Sequence, residues 1–244
     1  MRRLEDHYWW FVGRREAVVA LLAQRLTPGQ RRVIADIGCG TGATSLALRA
    51  LGQVVAVDLS PEALTLHSQR DAHGPMVQAS ATALPFAPGV FDVMTYLDML
   101  EHVEEDDIAL AEAYRLLAPG GLLLVSVPAH PWLWGSHDIS LHHKRRYRRA
   151  ELVSRIREAG FELERCTFAV SLLAPFAVVY RIAGRLFGRS RPAHSEAMEL
   201  PAAINKLLIW IMRLERALLL RWNLPAGISL LCLAHKPELS DTPT

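Results

Sequence analysis

Two carboxylates flank a glycine-rich bend: Asp36 precedes Gly38, Gly40 and Gly42, and Asp58 follows twenty residues beyond Gly38. Glycines let a backbone take positive φ and approach a ligand closely, and a helix opening after the bend offers unpaired N–H groups. A carboxylate at the position of Asp58 can accept both hydroxyl protons of a ribose, so the set reads as a nucleoside-cofactor site. Gly38, Gly40 and Ala43 also satisfy the loose dinucleotide fingerprint. Asp36 separates the two readings, because it would repel a pyrophosphate and attract the ammonium of a methionine moiety. S-adenosylmethionine therefore fits better than a dinucleotide. Two further groups carry chemistry. Asp98, Glu101 and His102 offer two carboxylates and an imidazole, a donor set for Mg²⁺ or Zn²⁺ that would lower the pKa of an acceptor hydroxyl; the ordinary alternative is an acid and a histidine capping the next helix. His137, Asp138, His142, His143, Lys144, Arg145, Arg146 and Tyr147 bring imidazole, guanidinium and phenol together, able to take an acceptor proton and grip an anionic acceptor, or simply to form a solvated basic loop.

The elements that must position these residues follow from periodicity. Short apolar runs predict strands near 32–37, 53–58, 75–79, 90–96, 121–127, 161–169 and 227–235, and helical patterns fall near 13–26, 43–51, 61–70, 105–117 and 149–159. Strand and helix alternate, which means an α/β fold: a Rossmann-like, doubly wound seven-stranded sheet, mostly parallel. Its reactants gather at the carboxyl ends of the strands, where Asp36, Asp58, Asp98 and the 137–147 group all fall.

The segments VIADIGCGTG, VVAVDLSPEAL, FDVMTYLDMLEHV and LLAPGGLLLVSVP, within residues 33 to 128, resemble the successive motifs of class I S-adenosylmethionine-dependent methyltransferases. The tract WLWGSHDISLHHKRRYRRAEL and the opening HYWWFVGRRE resemble a bacterial small-molecule subgroup of that superfamily. The resemblance implies S-adenosyl-L-methionine as cofactor, with Asp36 near the methionine amine, Gly38, Cys39, Gly40, Thr41 and Gly42 along the cofactor backbone, and Asp58 on the ribose. Leu59, Ser80, Ala81 and Leu97 complete that expected lining; from the placement of its aromatic and cationic residues, the N-terminal HYWWFVGRR is expected either to fold over the cleft, with Trp9 or Trp10 excluding water and Arg14 reaching the methionine carboxylate, or to pack as a capping helix against the sheet. The chain departs from the family at Ala79, Ser80 and Ala81, where an acid usually contacts the adenine amine. The DxxEH spacing of Asp98, Glu101 and His102 is similar to the metal-binding ExxEH pattern of some O-methyltransferases, including ones acting on polyprenylated quinone precursors. In the 137–147 tract the resembling subgroup carries histidine at the place of His143, which makes His143 the expected base, with His102 and Tyr147 as further catalytic candidates. The last strand is expected to be antiparallel, as in that family.

With 244 residues, 51% of them hydrophobic, the chain can bury one substantial core. Three cysteines without paired spacing argue against a disulfide framework and for a reducing compartment, and Cys39 reads as a small residue in a crowded bend. The N-terminus has no apolar h-region, so the expected address is cytoplasmic, and a net charge of +2 gives no reason to expect a nucleic-acid partner. The domain reading is a capping helix in 1–30, a cofactor-binding domain in 31–170 and 226–237, a helical insertion in 171–225 and a flexible tail in 238–244. The insertion carries two apolar helical patterns studded with arginines; it serves as a lid over an apolar or lipid-like acceptor, as a homodimer interface, or as a peripheral membrane element. The overall expectation is O-methylation of such an acceptor. Two competitors keep parts of the pattern: a nicotinamide-dependent oxidoreductase, and a non-catalytic membrane or nucleic-acid module using KRRYRR.

Overall fold

A computed structural model describes residues 2–179 and 200–238. Arg181, Arg185, Arg189 and Arg191, the connection over 190–199 and the tail residues 239–244 lie outside the described residues.

Seven strands, β1 (Val33–Ile37), β2 (Gln53–Asp58), β3 (Met76–Gln78), β4 (Phe91–Leu97), β5 (Leu117–Pro128), β6 (Glu162–Ala169) and β7 (Ser229–His235), form one sheet in the order β3-β2-β1-β4-β5-β7-β6. The first five run parallel, and β7 is antiparallel to both β5 and β6. From β1 the chain winds to one edge and from β4 to the other, so the crevice opens between the carboxyl ends of β1 and β4.

Helices cover both faces, which is why the central strands read as mostly apolar runs. Ala35, Ile37, Met94 and Tyr96 face a core shared with Leu110 and Leu116 of α5 (Asp106–Leu116) and Ile156 of α7 (Arg149–Glu158). Their sequence neighbours Ile34 and Val93 point the other way, with Leu124 and Leu231, toward Val18 and Leu22 of α2 (Trp9–Arg25) and Leu219 of α8 (Ala202–Leu219). The remaining helices are α1 (Arg2–His7), α3 (Ala43–Leu48), α4 (Pro61–Ser68) and α6 (Ser136–Ser140).

Three expectations change. The N-terminal helix starts at Trp9 and not at Gly13, and α1 precedes it. Gly13 looks like a boundary because glycine weakens helices, yet it is a contact: a Cβ there would lie 2.7 Å from Met212 Cβ, so the missing side chain lets α2 and α8 approach. The strand expected at 121–127 begins at Leu117, because Gly120 N–H donates to the Lys236 carbonyl at 2.8 Å and draws the turn into the sheet. The cysteines are not all unpaired: Cys166 and Cys232 sit directly opposite on β6 and β7 and are joined as a disulfide, leaving Cys39 free and buried.

Candidate active site

The bend after β1 is fixed from both sides. Gly38 and Cys39 N–H groups donate to the Val57 carbonyl at 2.8 and 3.0 Å, and Asp58 accepts from Gly40 N–H and Ser60 N–H, both at 2.9 Å. Gly38 has φ +73°, and a Cβ there would meet Met99 Cγ at 2.4 Å, so the position excludes side chains on both counts. Asp58 spends a lone pair of one oxygen on Gly40 of the bend and one of the other on Ser60 just after β2, and a carboxylate has about four acceptor sites, so a ribose can still be held there. Leu59 beside it is 67% exposed.

Asp36 lies one layer deeper than its sequence position suggests. It is 2% exposed and accepts from Ser45 Oγ at 2.6 Å and Thr95 Oγ1 at 2.8 Å. Burial pushes its carboxyl up, against the two hydroxyl donors. Asp36 therefore ties β1, α3 and β4 together beneath the bend; the carboxylate at the rim is Glu5 of α1, which accepts from Thr41 Oγ1. No spacing rule marked Glu5, since it reaches the bend only through the path of the N-terminal helices. Arg70 extends this cover by pairing with Asp6 and donating to the Thr41 carbonyl at 3.0 Å. Among the other expected lining residues, Ser80 Oγ is 2.8 Å from Thr82 Oγ1, Ala81 is buried, and Leu97 packs in the core under α2. The Cys39 thiol is pushed up by burial and by Asp36 and Asp58, which leaves it a packed neutral group.

Arg14 and Trp10 of α2 come to the same end of the sheet. Arg14 pairs with Asp98, which has φ +52° and also accepts from Ser126 Oγ at 2.8 Å. A narrow cavity of about 30 Å³ lies between α2, α8 and the sheet, lined by Trp10, Arg14, Ser126, Met212 and Leu219 among others.

Asp98 is thus committed to Arg14 and Ser126, and the metal-type cluster has a different membership from the one the sequence suggests. Glu101, His102 and His143 each place a ligand atom within 4.8 Å of the others. Glu101 is 1% exposed and neither carboxylate oxygen has a hydrogen-bond partner; burial, then Asp98, raises its pKa well above the usual value. Burial, and then His143, lowers that of His102. His143 Nδ1 lies 3.0 Å from Asp138 Oδ1, and its Nε2 lies 3.9 Å from Glu101 Oε1. Asp138 is fully buried and also accepts from Arg146 Nε at 2.7 Å and Gly135 N–H at 2.9 Å. Burial opposes its charge, yet the His143 and Arg146 hydrogen bonds hold its pKa below the usual range.

In the rest of the 137–147 tract, Arg145, Arg146 and Tyr147 form a brace, while His137, His142 and Lys144 are exposed. Tyr147 is fully buried and its hydroxyl donates to Asp106 Oδ2 at 2.6 Å, so it presents no phenol to a substrate. Burial and Asp106 both raise its pKa. Arg145 and Arg155 share Asp106, and Arg146 also donates to the Ala129 carbonyl at 3.1 Å. The guanidinium groups of Arg145 and Arg146 are occupied inside the protein, whereas Lys144, Arg148 and Arg149 of the same KRRYRR run are exposed.

This geometry has relatives. A family model described as a methyltransferase domain matches residues 35–125. The demethylmenaquinone methyltransferase of Renibacterium salmoninarum is 40% identical over 105 residues, 43% of this chain and 44% of that one. The ubiquinone biosynthesis O-methyltransferase of Xanthomonas euvesicatoria is 33% identical over 189 residues, 66% of this chain and 78% of that one. The chain belongs to the class I S-adenosylmethionine-dependent methyltransferases. The chain spans about half the length of the first of these relatives. Among solved structures, phosphoethanolamine N-methyltransferase 2 of Haemonchus contortus in complex with S-adenosyl-L-methionine superposes with a TM-score of 0.60 at 18% identity, over 91% of this chain and 52% of that one, a likeness of fold. Membership of this family replaces the nicotinamide-dependent and non-catalytic alternatives. No helix of the described residues is long and apolar enough to cross a membrane.

Proposed function

We propose that this methyltransferase moves the S-methyl group of S-adenosylmethionine to a hydroxyl oxygen of a small, apolar, phenol-like acceptor of the quinone-precursor type. The observation that carries the reading is the Glu101–His102–His143 cluster, joined to the bend through Met99, whose side chain packs on Gly38. The quinone-related names of the relatives support the acceptor class. In the transfer the acceptor oxygen forms a bond to the methyl carbon as the C–S bond breaks and its electron pair returns to sulfur, leaving a neutral thioether. Alignment is the larger effect, worth on the order of 7–11 kcal/mol, against about 3–5 kcal/mol for a base. His143 is the base in this reading: Asp138 holds Nδ1, fixing the tautomer and leaving Nε2 to accept the acceptor proton.

The same three side chains also suit a divalent cation. The orphaned, buried oxygens of Glu101 and the lowered His102 are what a cation would satisfy, and two imidazoles with one carboxylate favour Zn²⁺ over Mg²⁺. Such an ion would supply Lewis acidity that acidifies the acceptor hydroxyl. In that arrangement Asp138 orients a ligand, and His143 is no longer free as a base.

The test is transfer from methyl-labelled S-adenosylmethionine to a panel of catechol and hydroxyquinone acceptors, with and without chelator, followed by product analysis. Label on oxygen supports the reading. Label on carbon, or on none of the panel while other acceptors react, overturns it. Loss with chelator and return with Zn²⁺ selects the cation over the free base.

A further inference from the structure

The outward face of α8 carries a continuous apolar stripe. Ala203, Leu207, Trp210, Leu214 and Ala217 recur at steps of four, three, four and three, and all are exposed. Ile204, 46% exposed, widens the stripe, and Trp210, at 61%, stands near its middle. The burial of these residues on folding is therefore incomplete, although the opposite side of the same helix is well packed through Met212, Glu215 and Leu219. The helix is not loosely attached. Asn205 accepts from Trp9 N–H at 2.9 Å and donates to the His7 carbonyl at 2.6 Å, while Arg213 and Arg216 pair with Glu16 of α2 at 2.7 and 3.1 Å. A firmly docked helix that still presents leucine and tryptophan to water is built to be covered.

The charges around the stripe indicate by what. Lys206 and Arg213 flank it and Arg221 follows at the next step beyond the helix end, all three exposed. The only acid in α8, Glu215, is turned inward, where it accepts from Val170 and Leu172 N–H groups. A second copy of the helix laid on this face would set cations against cations with no exposed acid of the helix to answer them, an arrangement that disfavours self-pairing. An anionic lipid leaflet answers Lys206 and Arg221, Arg213 being already paired with Glu16, and takes the apolar stripe into its acyl boundary, with tryptophan at the headgroup level. We propose that α8 is the membrane-contact face of this protein, docking it flat on an anionic lipid surface. Through Met212 and Leu219 the inner side of the helix lines the cavity that also holds Arg14 and Ser126. This inference stands on the surface of α8 and not on the identity of the acceptor.

The test is co-sedimentation of the full chain with vesicles of neutral phosphatidylcholine, and of phosphatidylcholine with one-third phosphatidylglycerol, alongside analytical ultracentrifugation without lipid. The expected result is binding to the anionic vesicles that weakens with salt, about tenfold or more loss for Leu207→Gln/Leu214→Gln, and about tenfold loss for Lys206→Glu/Arg221→Glu. Both variants should still bind S-adenosylmethionine, which reports a folded chain. Trp210→Phe offers a gentler control: it should remove most of the blue shift in tryptophan emission on vesicle addition while leaving the fold unchanged. No binding to anionic vesicles, binding that all three variants leave unchanged, or a lipid-free dimer that the Leu207/Leu214 variant dissolves would each overturn the proposal.

Discussion

Asp138 is the residue on which the histidine side of the site turns. It is fully buried among His143 Nδ1, Arg146 Nε and Gly135 N–H, so its charge is held by these donors and in turn orients the imidazole. Asp138→Asn keeps the volume but offers His143 only half the acceptor capacity, and methyl transfer should fall about 10- to 100-fold with little change in cofactor affinity. A matched loss of cofactor binding would mean that Asp138 supports the fold and not the chemistry. Asp138→Ala is a different experiment, because it strands the buried Arg146, and should cost about 3–5 kcal/mol of stability in denaturant titration. His67 gives a pH signature. It is 1% exposed, stacked where a Cβ on Gly42 would fall, and its Nδ1 has no partner. Burial lowers its pKa below 6.5, with Asp36 and Asp71 opposing and Arg49 and Arg70 reinforcing. An unfolded histidine then binds a proton that the folded one resists. Its contribution to stability is therefore complete above about pH 6.5 and lost as pH falls toward the depressed folded value. Thermal unfolding should show a decline in Tm below pH 6.5 that His67→Gln flattens; an unchanged slope would mean other groups carry it.

At the scale of elements, the close pairing of α2 with α8 depends on one missing side chain. Gly13→Val would place branched carbons where Met212 now sits, so the helices must separate or strain, at a cost of about 1–3 kcal/mol. Tm should drop, and because Arg14 lies next in the chain, cofactor affinity should drop with it; a stable variant with full affinity would show that the contact is loose. This contact was not legible in the sequence, since two hundred residues separate its partners and glycine has no periodic signature within a helix. The strands were legible because each central one is buried on both faces and is mostly apolar, interrupted only at single positions such as Asp36 and Thr95. The Cys166–Cys232 pairing was not, because it depends on the register of β6 against β7 across an intervening insertion. Asp98 was expected in a metal set from its DxxEH spacing and the resemblance that spacing carries; the fold also brings Arg14 to Asp98 and His143, from a distant loop, to Glu101 and His102.

At the scale of the molecule, the winding that separates β1 from β4 puts the glycine bend, Asp58, Asp98 and the Glu101 cluster at one end of one sheet. That convergence was legible, because strand order in such folds places chemistry at the carboxyl ends. The layering within it was not. Asp36, expected near the methionine amine, also ties β1, α3 and β4 together through Ser45 and Thr95, while Glu5, unmarked in the sequence, reaches Thr41 of the bend. The central claim is that the bend and Asp58 hold S-adenosylmethionine, and isothermal titration of that cofactor into the wild-type chain and Asp58→Asn tests it most directly. The account predicts one site in the wild type, weakened about tenfold or more when the carboxylate loses its charge, with the variant's Tm within a few degrees of the wild type. No binding by the wild type, or equal affinity in a folded variant, would contradict it.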